Sequence, residues 1–198
     1  MASILYLGTE AVVLRLIVGI SGASGVLMGY RLLAVLREMP EVETHLVVTE
    51  GAWRNFECET DLTRGQVEAM ADVCYDNQDL AAAISSGSFE TAGMLVLPCS
   101  MASVAGIASG FSTNLLLRAA DVCIKEGRRV VLVPRETPLS IIPLRNMKTA
   151  AESGCTILPP VLTFYNGADT VEKQVDHIIG KALGFFGIRY SSFVPWRG

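Results

Sequence analysis

Five short runs of this chain read apolar almost from end to end, and each is followed by a stretch with helical spacing. LRLIVGI (14–20) leads into a helix over 25–38, THLVVTE (44–50) into one over 51–58, and GMLVLP (93–98) into helices within 101–126. RVVLVP (129–134) precedes a helix over 140–153, and TILPP (156–160) precedes a last helix over 171–186. A strand that faces water on one side alternates apolar and polar residues, whereas a strand that is apolar throughout is covered on both faces. The pattern predicts a parallel sheet with helices on both sides, a doubly wound α/β fold in a single domain. With 198 residues, 51% of them hydrophobic, one sizeable core can be buried.

In such sheets ligands bind beyond the carboxyl ends of the strands. Those ends are GISGASG, VVTEGA, LPCSMAS, VPRETPLS and PPVLTFYN, each of which turns small, polar or charged where the core run stops. In the first, Gly19, Gly22 and Gly25 follow the spacing GxxGxxG, which differs from the GxGxxG dinucleotide fingerprint although the strand–loop–helix setting is right. Glycines admit an anion to the backbone, and the helix start beyond them offers free N–H groups and a positive dipole end. Phosphate binding is the expectation, with a plain strand-to-helix turn as the bland alternative. A nicotinamide cofactor stays open, because Glu50 closes the second apolar run near where a ribose-binding acid would stand.

Charge and cysteine content exclude several classes. Sixteen Lys and Arg stand against twenty Asp and Glu with no basic run, so a nucleic-acid partner is not expected. The five cysteines (Cys58, Cys74, Cys99, Cys123, Cys155) are odd in number, widely spaced and outside any CxxC or Cys/His cluster, which predicts free thiols in a reducing compartment and no metal. The opening MASILYLGTEAVVL is apolar but lacks a basic start and carries Glu10, unlike a cleaved leader. No apolar run reaches the ~18 residues of a membrane span. A cytoplasmic location is expected.

Several side chains stand where chemistry would be sought. Ser100 follows a buried run and precedes a helix, as a ring or phosphate contact or an N-cap. Cys99 reads as a small buried hydrophobe, with neither His45 nor His177 near it in sequence to make a nucleophile pair. Arg118 and Lys125, seven residues apart, share one helix face two turns apart. Arg135 and Glu136 end a core strand, as a simple ion pair or as a cleft carboxylate with its neighbour. Glu59 supplies a further acid near a helix end.

Taken together, GISGASG, ETHLVVTEGA, ISSGSF (84–89), LPCSM, RAADVCIKEGRRVVLVPRETPLS and ILPPVLTFYN resemble the UbiX family of flavin prenyltransferases, including paralogues once called aromatic acid decarboxylases. The likeness runs in order from about residue 15 to 188. It implies a flavodoxin-like, FMN-binding domain over 15–188, flanked by an extension (1–14) and a tail (189–198). It implies a homododecamer with active sites at subunit contacts. The implied reaction moves a dimethylallyl group from dimethylallyl phosphate to N5 and C6 of reduced FMN, and prenylated FMN then serves a UbiD-type decarboxylase. The cofactor contacts carried over are Gly22, Ala23, Ser24, Thr49, Ser100, Met101 and Arg135. Arg118, Lys125, Tyr165 and Lys181 match the phosphate-binding set, drawn from neighbouring subunits. Ser24, Glu59, Glu136 and Lys125 match the catalytic positions, and no metal is called for.

The chain also departs from the family pattern. Thr49 replaces the usual serine and keeps the hydroxyl, and Lys181 replaces an arginine, keeping charge but losing the bidentate fork. IIPLRNM, with Pro143 and Arg145, stands where a histidine and a glutamate usually precede Asn-Met, while Trp196 resembles the family's tail tryptophan. Two rivals remain: an FMN-dependent decarboxylase of the cysteine-peptide type, which calls for a histidine near the first helix that this chain lacks, and a non-catalytic flavin carrier for a decarboxylase.

Overall fold

The computed structural model describes residues 13–196. Apart from Val13 and Leu14, the expected N-terminal extension (1–14) lies outside the described residues. Six strands, β1 (Leu14–Ile20), β2 (Val42–Val48), β3 (Val73–Tyr75), β4 (Gly93–Cys99), β5 (Arg129–Pro134) and β6 (Thr156–Ile157), form one sheet in the order β3-β2-β1-β4-β5-β6, every pairing parallel. The flavodoxin-like, doubly wound expectation is met. Strand order reverses between β1 and β4, and at such a switch point the flanking connections leave on opposite faces and open a crevice.

The apolar runs divide their side chains between two layers. Leu16, Val18, Ile20, Leu95, Leu97, Val131 and Val133 pack against α1 (Val26–Arg37), α2 (Glu50–Glu59) and α7 (Val171–Gly184). Ile17, Met94, Val96, Val130 and Leu132 point the other way, onto α4 (Met101–Ser109), α5 (Leu115–Lys125) and α6 (Ile141–Glu152). Each fully buried Leu or Ile contributes about 1.5–3 kcal/mol, and residues one step apart serve opposite faces, so a one-residue slip of register would exchange two cores at once.

Three boundaries differ from expectation. β2 stops at Val48: Thr49 is the N-cap of α2 and accepts the Ala52 N–H (3.3 Å), so Glu50 opens a helix and does not close a strand. This removes the position on which the nicotinamide alternative leaned. β6 is only two residues long, because Pro159 and Pro160 have no N–H for the ladder. The short helix α3 (Arg64–Glu68) and edge strand β3 come from a segment without a long period in sequence.

Candidate active site

The carboxyl ends of β1, β2, β4 and β5 are stitched together by backbone hydrogen bonds before any side chain is considered. Thr49 N–H donates to Ile20 O (3.0 Å), Ser21 N–H to Pro98 O (3.1 Å) and Arg135 N–H to Cys99 O (3.1 Å). Ser21, fully buried, accepts the Ser100 N–H on its Oγ (2.7 Å) and closes the switch point between β1 and β4. Gly22 and Gly51 then pass backbone to backbone: a Cβ on Gly22 would lie 3.1 Å from Gly51 Cα. The crossing is tight at Gly22, where a side chain would press on the Gly51 backbone, whereas a Cβ on Gly51 would make only ordinary contact at 3.4 Å.

Two adjoining clefts open over this floor. The larger, about 840 Å³, runs from Gly22, Thr49 and Gly51 across Ser100, Met101 and Ser103 to Phe111, Asn114 and Leu117. The smaller, about 280 Å³, is bounded by Ala23, Ser24, Asn55, Glu59 and Arg135. Gly22, Ser100, Met101 and Glu136 border both. All seven residues carried over as cofactor contacts, together with Glu59 and Glu136, therefore surround one continuous space.

Helix ends around the space are used differently. At α1 the Gly25 and Val26 N–H groups donate to the Glu59 carboxylate (2.8 and 3.3 Å), so the dipole end expected to take a phosphate is already matched by an internal anion. Sequence placed Glu59 near a helix end but not across from α1, a contact that spans 34 residues. At α5, Asn77 takes the Leu115 and Leu116 N–H groups and Asn114 the Leu117 N–H. At α2 and α4, by contrast, Gly51, Met101 and Ala102 line the larger cleft and their N–H groups make no hydrogen bond among the described residues. Ser100 caps α4 as the bland alternative had it, accepting the Ser103 N–H (3.2 Å), and it lines the cleft as well.

Arg135 and Glu136 do not pair with each other. Arg135 Nε donates to Ser24 O (3.0 Å), pinning the glycine loop from the β5 side, while Glu136, which lines both clefts, accepts only its neighbour's N–H, Thr137 (3.1 Å), among the described residues. Asn55 and Ser103 also line the space and were not singled out from sequence. Asn55 stands one helical turn before Glu59, and that spacing was the signal available for it.

A flavin mononucleotide fits this donor set. The glycine crossing brings bare backbone to the cleft wall, the free N–H groups and hydroxyls of Thr49 and Ser103 suit phosphate and ribityl oxygens, and Met101, Phe111 and Leu117 offer apolar contact to a ring. Among the described residues no three His, Cys, Asp or Glu side chains are grouped to hold a metal ion.

The residues expected to bind the prenyl phosphate are not gathered in this way. Arg118 and Lys125 lie on α5, on one face of the sheet, where Arg118 meets Asp121 (2.8 Å) and Lys125 meets Glu126. Lys181 lies on α7, on the other face, with its Nζ 5.8 Å from the Phe185 ring centre. Tyr165 stands beside α7, edge-on to His177 (5.9 Å) and to Trp196 (5.1 Å). Burial, then the nearby Lys181, holds the His177 imidazole below its ordinary pKa. Cys99 sits at the end of β4 with its thiol pushed up to about 12 by burial, so it is no thiolate nucleophile.

Comparison with known proteins follows the same lines. The family model described as Flavoprotein matches residues 7–183. The chain is 58% identical over 185 residues to a probable UbiX-like flavin prenyltransferase of Sedimentibacter hydroxybenzoicus, covering 93% of this chain and 98% of the relative. Its structure matches a dodecameric FMN-dependent UbiX-like decarboxylase from Escherichia coli O157:H7 with a TM-score of 0.91 at 48% identity, covering 93% and 100% of the two chains. It also matches AnUbiX in complex with FMN and dimethylallyl pyrophosphate, with a TM-score of 0.90 at 44% identity over 93% and 98%.

Proposed function

The chain belongs to the flavoprotein family and, within it, to the UbiX-like flavin prenyltransferases, and from that membership we propose that it transfers a dimethylallyl group from a dimethylallyl phosphate to N5 and C6 of reduced FMN. The observation that carries the proposal is the continuous space at the β1/β4 switch point, ringed by Gly22, Ala23, Ser24, Thr49, Ser100, Met101 and Arg135, with two carboxylates, Glu59 and Glu136, on its border. Reduced FMN, when bound, supplies the nucleophilic N5 and C6. Its phosphate belongs at the donor-rich side near Thr49 and the first turn of α4, because Glu59 already occupies the α1 end. Ser24, Glu59, Arg135 and Glu136, which border the smaller cleft, would hold the reacting edge.

Arg135 holds the Ser24 loop in place through its carbonyl, which keeps the Ser24 hydroxyl at that edge. Glu136 would accept the proton that C6 gives up on substitution, with Glu59 and Ser24 completing the proton path. As the donor's C–O bond breaks, negative charge grows on the departing phosphate. Arg118, Lys125, Tyr165 and Lys181 stabilise it, and because they stand on opposite faces of one chain, neighbouring copies bring them together. A homododecamer supplies such contacts, and the UbiX-like relative of solved structure is dodecameric. The product serves a UbiD-type decarboxylase. We place the protein in the cytoplasm, as its five free cysteines suit a reducing compartment. No helix of the described residues is long and apolar enough to cross a membrane.

Anaerobic incubation with reduced FMN and dimethylallyl phosphate, followed by mass spectrometry of the released flavin, tests the assignment. A flavin heavier by one C5 unit is expected. FMN that is bound but released unchanged, with the diphosphate donor as well as the monophosphate, would favour the carrier alternative.

A further inference from the structure

The ISSGSF stretch (84–89) borders neither cleft, yet it grips α5 and the turn after it at every second residue. Arg118 Nε donates to Ser85 O (3.3 Å), and Arg128 donates to Gly87 O and to Phe89 O (2.8 Å). Between these contacts the exposed Ser86 and Ser88 hydroxyls are joined to each other at 2.8 Å. Gly87 is the point of closest approach: a methyl there would collide with the Glu126 carboxylate and come within 2.9 Å of Lys125 Nζ. The Lys125–Glu126 ion pair thus fills the space a side chain at residue 87 would need.

We infer that Ser85–Phe89 is a clamp that positions the α5 cations, Arg118 and Lys125, for the phosphate of the prenyl donor, and that the missing side chain of Gly87 sets where Lys125 stands. The inference rests on the prenyltransferase proposal for its ligand. The Ser85 carbonyl holds the Arg118 guanidinium in place without cancelling its charge, while the partly exposed Asp121 carboxylate that pairs with it is one an incoming phosphate can replace. Glu126 is a partner of the same kind as Asp121. Both members of its pair are partly exposed, and such pairs are weak in water, so a phosphate can replace the carboxylate at little cost. The clamp fixes the cations beforehand, which spares the ordering that binding would otherwise require.

The test is Gly87→Ala. Gly87 is not among the glycines with positive φ, so alanine's backbone fits and the substitution acts through its methyl alone. Inorganic phosphate serves as a probe that needs no turnover. The expected result is about a five- to twentyfold rise in the dissociation constant of phosphate and in KM for dimethylallyl phosphate, with FMN affinity and thermal midpoint unchanged. Removing the colliding carboxylate in the double variant Gly87→Ala/Glu126→Ala should recover most of that loss relative to Glu126→Ala alone. Unchanged phosphate affinity in Gly87→Ala, a parallel loss of FMN binding, or wild-type protein that binds no phosphate would overturn the clamp. Wild-type protein that binds phosphate through it but makes no prenylated FMN would leave the clamp standing and refute the prenyl-transfer proposal alone.

Discussion

Two sets of residues from the same chain behave in opposite ways. Nine residues around the β1/β4 switch point line adjoining clefts within a single copy, whereas the four phosphate-binding candidates lie on opposite faces of the sheet. The first set comes from loops that follow adjacent parallel strands, so the ladder itself brings them together. The second comes from the α5 and α7 layers, which the sheet keeps apart. The cleft at the switch point is thus lined within one chain, while the candidates on the outer helices α5 and α7 are the ones for which we propose a second copy.

The sharpest way to probe the cradle's chemistry separately from its binding is Glu136→Gln. The carboxylate makes no ion pair among the described residues, so prenyl transfer should fall about 10²-fold or more, as for loss of a general base, with FMN affinity kept. Equal loss of FMN affinity would recast Glu136 as a cofactor contact. Gly22→Val attacks the other property. Its side chain meets the Gly51 backbone, and overpacking of about 1–3 kcal/mol should weaken FMN binding roughly ten- to a hundredfold, read by flavin fluorescence. Native affinity in that variant would mean that the loop crossing is not part of the cradle.

Lys181→Arg touches only the dispersed set. The guanidinium fork should lower KM for the prenyl phosphate a few-fold, with FMN binding unaffected. The smallest effect is expected from thiol chemistry. Burial pushes Cys99 up to about 12 and Cys123 and Cys155 up to about 11, so these thiols stay protonated throughout the neutral range, and only above those values would they ionise. Iodoacetamide at pH 8 should therefore label Cys58 and Cys74 in the native protein and leave the other three unmodified until it unfolds. Rapid labelling of Cys99 would reopen a cysteine-based mechanism.

The same division governs what could be read from sequence. The sheet was legible because β1, β4 and β5, apart from Arg15 and Arg129 near the starts of β1 and β5, are buried on both faces and read apolar. β3 was not, since three residues at a sheet edge, none fully buried, carry no period. The strand ends that line the cleft were legible as small, polar or charged breaks after apolar runs, while the proposed cofactor contacts among them came from the family resemblance. The role of Glu59 at the start of α1 was not, because the contact is created by packing α2 beside α1 and leaves no local spacing. Likewise Arg118 and Lys125 share a helix face as expected, but their anchors on Ser85 and beside Gly87 depend on how residues 84–89 fold back over α5.

The claim that the site is completed between copies is tested most directly by mixing two defective variants, Arg118→Ala and Lys181→Ala. Each alone should lose at least about tenfold in prenyl transfer, having lost a cation from every site. Co-assembled from equal amounts of the two chains, mixed oligomers should recover activity, because roughly a quarter of two-copy sites draw both cations from intact donors. Mixed oligomers no more active than either variant alone would contradict a shared site and require both cations to serve within one chain.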